Sequence, residues 1–167
     1  MSRRGEMFEI GRFVVYPGHG VGVIEDVQEI SVNGEVEKVY ILRTLNTNMT
    51  LMVPVKTAET AGMREVIDPS QVEEVYALLS KKEDVNHSSH QPWNQRYRSY
   101  MERINSGSIF EVAKVLKELH LLKGSKGLSF GEKKLMETAQ RLLVQELAVA
   151  KKAEEREIRR ELQARLP

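Results

Sequence analysis

The period of the hydrophobic pattern changes once along this chain, near residue 68, and that change constrains the fold more than any other feature. From Phe8 to Val55 the apolar residues come in short β-branched runs broken by turn residues, as strands of a small sheet or barrel do. From Asp68 onward they recur at three- and four-residue spacing, which gathers them on one face of a helix. With 167 residues the chain has room for one ordinary domain or two small ones. The change of period favours two, over 1–67 and 68–167.

In the first part, Phe13-Val14-Val15-Tyr16 reads as a strand and Pro17-Gly18-His19-Gly20 as its turn; Val21 to Ile30 continues as a longer strand. Asn33-Gly34 predicts a type I′ hairpin, because both central positions take positive φ. Val39 to Leu42 returns, Asn46-Thr47-Asn48 turns again, and Met49 to Val53 runs to Pro54, which cannot donate to a ladder. Four or five such strands match a Tudor/SH3-like small β-barrel by size.

The second part opens on Asp68-Pro69-Ser70-Gln71: a capping aspartate, proline at the first helical position and glutamine at the third. Val72, Val75, Tyr76 and Leu79 give that helix its apolar face. Lys81 to Pro92 is polar and aperiodic, hence a linker. A helix follows over Trp93–Ile104 and another from Ile109 to about Leu122, ended by Gly124-Ser125-Lys126-Gly127. The capping box Ser129-Phe130-Gly131-Glu132 then opens a helix through Leu135, Ala139, Leu142, Leu143 and Leu147. Over 151–167 Ile158, Leu162 and Leu166 are four apart in a charged stretch, which fits a narrow-striped helix or a fraying tail. The fold class is therefore α+β in two domains, a small β-barrel followed by a compact all-helical bundle.

The net charge of +1 conceals an uneven distribution. Residues 1–67 hold seven Lys/Arg against nine Asp/Glu, 68–92 two against five, 93–127 seven against three, and 128–167 nine against seven. Nucleic-acid contact is thus expected to be local, weak and confined to the second half. The absence of cysteine excludes disulfides and thiolate metal sites. Met1 to Glu6 lacks the apolar centre of a signal peptide, and no apolar run approaches the roughly 20 residues that span a bilayer, so a cytoplasmic protein without membrane contact is expected.

No enzyme site emerges, and no cofactor or metal is expected. Gly124-Ser125-Lys126 follows a helix and lacks phosphate-loop spacing, and Gly18-His19-Gly20-Val21-Gly22 is followed by no helix. His87 and His90, beside Glu83 and Asp84, fit a solvated linker better than a four-ligand metal site. His120 has no accompanying nucleophile.

Chemistry concentrates instead in Gln91-Pro92-Trp93-Asn94-Gln95-Arg96-Tyr97-Arg98-Ser99-Tyr100, where the only tryptophan meets interleaved arginines and tyrosines. A ring that enters a base step, flanked by guanidinium groups for phosphates, is what DNA-distorting proteins use. Two readings fit. Trp93 shares a helical face with Tyr97, Tyr100 and Met101, as a packing residue would; at a helix start it also has room to reach outward. Arg96, Arg103, Lys123, Lys126 and Lys133 extend the possible basic surface, with Arg98 pointing elsewhere on the helix.

Four blocks resemble the CarD/CdnL transcription regulators: Phe8-Glu9-Ile10-Gly11 with Val14 to Gly20, Val53-Pro54, Trp93 to Arg98, and Gly127-Leu128-Ser129-Phe130-Gly131-Glu132-Lys133-Lys134. The resemblance spans residues 8 to about 150 and leaves the charged tail after Ala150 outside. It implies that the Tudor-like domain docks on the RNA polymerase β subunit, partly by strand addition, with Ile30, Arg43, Met49, Leu51 and Met52 as docking residues. It further implies that Trp93 wedges into the minor groove of promoter DNA at the upstream edge of the bubble. Arg96, Arg98, Arg103, Lys126 and Lys133 would be DNA contacts, in a monomer of weak intrinsic DNA affinity. Ile30 and Met52 stand where the family can place arginines, and Gln95 where a basic residue is common, which shifts docking toward apolar contact and main-chain pairing. The other readings are a protein-binding adaptor with Trp93 in the core, and an RNA-binding barrel, which the acidic first domain disfavours.

Overall fold

The structure, a computed structural model, describes residues 8–82 and 91–167; the Lys126 side chain and Glu83, Asp84, His87 and His90 lie outside the described residues. Backbone contacts divide the chain into two units that meet between Val66 and Ile67.

The first unit is a five-stranded antiparallel sheet in the order β4-β3-β2-β1-β5, a Tudor-like arrangement. Its strands are β1 Phe13–Tyr16, β2 Gly20–Val32, β3 Glu35–Thr44, β4 Thr50–Pro54 and β5 Arg64–Glu65. The long β2–β3 hairpin closes at Asn33 and Gly34, whose φ values of 52° and 83° are those of the expected type I′ turn. Register slips once, between Ile24 and Asp26, leaving Glu25 as an extra residue; such a bulge bends a strand and strengthens its twist. The sheet thereby curves over Val14, Ile24, Tyr40, Leu42, Val53, Ala58 and Met63. Two elements lie beyond the expected strands. One turn of helix, α1 (Val55–Ala58), follows Pro54 and buries Ala58. The strand β5 is two residues long, too short to carry a period.

The second unit packs α2 (Pro69–Ser80), α3 (Trp93–Ile104), α4 (Ile109–Lys126), α5 (Phe130–Lys151) and α6 (Glu155–Arg165) around one apolar core. Asp68 caps α2 as expected, accepting from the Gln71 N–H while Gln71 accepts from the Asp68 N–H. Helix α4 runs a turn further than its sequence suggests: Gly124 is helical, and Gly127, at φ 80°, supplies the left-handed stop. Helix α5 touches each of the other four. Its own centre is buried, and Glu146 there accepts the Ile67 N–H at 2.9 Å.

The charged tail is core. Lys152 adopts the left-handed conformation at φ 55°, ending α5, and α6 brings Ile158 and Leu162 into full burial. Tyr76 Oη donates to Glu161, Lys151 Nζ donates to the same carboxylate at 2.7 Å, and the Arg165 guanidinium lies 4.8 Å from the Tyr76 ring. Of the two readings left open for 151–167, the structure takes the helix. Leu162→Ala is therefore expected to destabilise this unit by about 2–4 kcal/mol, since it empties a filled core position. Urea titration followed by circular dichroism checks this; a loss under about 0.5 kcal/mol would show a dispensable tail.

Candidate functional site

Trp93 occupies the first helical position of α3, directly after Pro92, whose fixed φ suits the entry to a helix. Two neighbours pack closely against it. Tyr97, one turn along, meets the indole edge-on at 5.7 Å between ring centres. Gly131, in the first turn of α5, lies directly beneath: a Cβ there would stand 2.7 Å from Trp93 Cζ2. With these contacts the residue is still 39% exposed. Tyr97 and Phe130 are exposed as well, at 44% and 67%.

Below the indole, Arg96 and Glu132 form an ion pair with only 10% and 5% of their side chains exposed. The guanidinium sits 5.4 Å from the Trp93 ring and 5.9 Å from Tyr100. Glu132 also completes the α5 capping box, accepting the Ser129 N–H at 2.8 Å and donating its own N–H to Ser129 Oγ. Burial acts to raise the Glu132 carboxyl, and the Ser129 N–H with the Arg96 guanidinium overcomes it, holding the group below its usual 4.5.

The other basic residues separate into two groups. Arg103 is bonded to Glu118 and lies 3.4 Å from Glu111, so it joins α3 to α4. Arg98, Lys123 and Lys133 are exposed and make no ion pair among the described residues. Arg98 is turned about 140° round the helix from Trp93. These exposed cations, unlike the paired Arg96 and Arg103, are free to meet an anion. Arg96 and Arg103, expected from the sequence as phosphate contacts, each face a carboxylate within this unit.

In the first unit β4 is an edge strand, and no described strand pairs its outer side. By register Ile30, Ile41, Arg43 and Met52 fall on one face, with Met52 54% exposed. Met49, also exposed, precedes β4. Arg43 is bonded to Glu25 at 2.9 Å and Asn48 at 3.3 Å. Leu51, expected on the docking surface, turns the other way and packs against the core, because residues of a strand alternate between faces.

Two family models match the chain. One, described as the CarD-like/TRCF RID domain, covers residues 8–67; the other, CarD, C-terminal domain, covers 74–163. A Bacillus subtilis (strain 168) protein named "Putative transcription factor YdeB" is 33% identical over 153 residues, 92% of this chain and 98% of that one. The chain belongs to the CarD/CdnL family. It is a CarD/CdnL-type transcription factor. The structure titled "CdnLNt from Myxoccoccus xanthus" is 33% identical, covers 40% of this chain and 94% of its own, and superposes with a TM-score of 0.32, too low to carry an argument. The C-terminal CarD match reaches residue 163, so the family extends through most of α6 and includes the tail that the sequence resemblance left out. Among the described residues no helix is long and apolar enough to cross a membrane.

Within this CarD-type chain the sequence reading missed Gly131 as the seat of the indole and Glu132 as the partner of Arg96. The available signal was a glycine inside a capped first turn, where it weakens a helix and marks close approach by something large. Gly131→Ala is expected to swing the indole outward while changing stability by less than about 1 kcal/mol, since an exposed ring can move. Iodide quenching of the single tryptophan checks this: quenching rises, and an unchanged quenching constant would disprove the seat.

Acid should weaken the helical unit. Glu132, Glu111 beside Lys114 and Arg103, and Glu161 beside Lys151 and Tyr76 are all held below their usual 4.5. A carboxylate depressed in the folded state contributes stability that is fully present above its unfolded value and is lost as pH falls through the folded one. Melting temperature is therefore expected to fall as pH drops below about 4.5, with a shallower acid limb in Glu132→Gln. Thermal melts from pH 7 to 3 test this; an identical limb would remove Glu132 from the account.

Proposed function

We propose that this protein docks on the β subunit of RNA polymerase through the free edge and Met52 face of its N-terminal unit, and stabilises the promoter open complex with Trp93 at the upstream edge of the bubble. The observation that carries the reading is the half-exposed indole, seated on Gly131 at the start of α3 with its packed side fixed. A flat ring that is anchored by its neighbours yet partly exposed is suited to enter a distorted base step in the minor groove. It acts by differential binding: a wedge that fits only unwound DNA shifts the closed-to-open equilibrium by its preference for the open form. The protein performs no chemistry of its own and works in the cytoplasm.

Tethering reconciles this role with a net charge of +1. A domain held on polymerase meets promoter DNA at high effective concentration, so the exposed cations Arg98, Lys123 and Lys133 suffice without a strongly basic surface. Docking follows the same economy, because strand addition at β4 draws on main-chain hydrogen bonds and on apolar Met52 and Met49. The test is open-complex decay after addition of a polyanionic competitor, with and without the full chain. Slower decay with the protein supports the reading, and equal decay rates refute it.

A further inference from the structure

We infer that Arg96 is a positioning residue: with Glu132 it fixes the orientation of the Trp93 indole, and it makes no contact with DNA phosphate. The inference rests on the proposed wedge role. Three observations lead to it. The Arg96 guanidinium is nearly buried and bonded to a carboxylate, so its charge is matched within the protein. It lies between the rings of Trp93 and Tyr100, within the range of cation–π attraction to both. Its partner Glu132 is anchored to the α5 cap by the Ser129 N–H, so the cation is held from a second helix 36 residues away in sequence.

The consequence is preorganisation. An indole at an unanchored helix start samples several rotamers, and ordering one on binding weakens affinity. Here Gly131 bounds the ring on one side, Tyr97 on another, and the Arg96–Glu132 pair from below. The phosphate-facing role passes to the exposed cations, of which Lys133 lies two residues beyond Gly131 on α5.

The test uses the full chain, a short duplex carrying an unpaired tail, and the double variant Arg96→Gln/Glu132→Gln. The double variant leaves no stranded charge, and glutamine still serves at the third position of a capping box. Two quantities are read: the anisotropy of Trp93 emission in the free protein, and the dependence of log K for the DNA on log salt concentration. We expect lower Trp93 anisotropy in the double variant, an unchanged salt slope, and DNA affinity reduced about threefold to tenfold at fixed salt. Lys133→Gln should do the reverse, lowering the slope magnitude by about 0.9 with anisotropy unchanged. A slope lowered by about 0.9 in the double variant with anisotropy intact would make Arg96 a phosphate contact and overturn the inference. Unchanged anisotropy and affinity would overturn it equally. Should the double variant not fold, Arg96→Lys gives the anisotropy comparison with the cation retained: wild-type anisotropy supports a cation-held ring, and a mobile ring at wild-type affinity rejects it. The underlying wedge reading fails separately, if Trp93→Ala binds the forked DNA as tightly as wild type.

Discussion

Trp93→Ala is expected to shorten the lifetime of promoter open complexes about tenfold while leaving the amount of protein bound to polymerase unchanged. Stacking or insertion of an aromatic ring at a base step contributes about 1–3 kcal/mol, and 1.4 kcal/mol is a factor of ten in an equilibrium. The ring is only partly buried, so the fold should survive its removal, and the proposed docking face belongs to the other unit. Trp93→Phe should fall between the two, since a smaller ring still stacks but fills less of the step. Competitor-challenged decay measures the lifetime, and pull-down on polymerase measures binding. Alanine and wild-type proteins with the same lifetime would remove the wedge from the account.

A docking variant has an effect of comparable size on a different quantity. Met49→Glu with Met52→Glu is expected to lower polymerase affinity by about a hundredfold or more, because each carboxylate would lose its hydration at the proposed interface without a partner. Both side chains are exposed in the free protein, so its melting temperature should change little. Leu51→Glu makes a poorer probe despite its neighbouring position. That side chain is partly buried against the sheet core, and a charge there is expected to destabilise the unit and so weaken docking for a trivial reason. Cosedimentation with purified polymerase, paired with circular dichroism, separates the cases; retained binding by the folded double variant would place docking elsewhere.

The parts of this fold that were legible in the sequence are those set by local backbone chemistry. Asp68 with Gln71, Ser129 with Glu132 and the Asn33-Gly34 turn satisfy or redirect the chain within four residues, so their types and spacing suffice. The first position of α3 at Trp93 was legible for the same reason. The misses are long-range. The two residues of β5 are a strand only because β1 lies beside them. For 151–167 the spacing of Ile158, Leu162 and Leu166 allowed a helix, but its place in the core was not legible, because three apolar residues in a charged stretch reveal nothing about the Tyr76, Lys151 and Glu161 cluster that receives them.

The same division runs through the functional site. Composition pointed to Trp93 and to arginines near it, but whether a guanidinium faces solvent or a carboxylate depends on a residue 36 positions away. That Arg96 pairs with Glu132 and Arg103 with Glu118 was therefore not legible in the sequence. The packing and exposed readings of Trp93 both described part of it, since the ring rests on Gly131 and is still 39% exposed.

The central claim is that this indole touches DNA at the edge of the melted segment. Its most direct test is to place a photoreactive aromatic amino acid at position 93 of the full chain, assemble open promoter complexes with polymerase, irradiate, and map the attachment. The account predicts attachment to DNA within a base pair or two of the upstream boundary of the bubble, absent from closed complexes. Attachment only to polymerase, or equally to closed and open complexes, would contradict it.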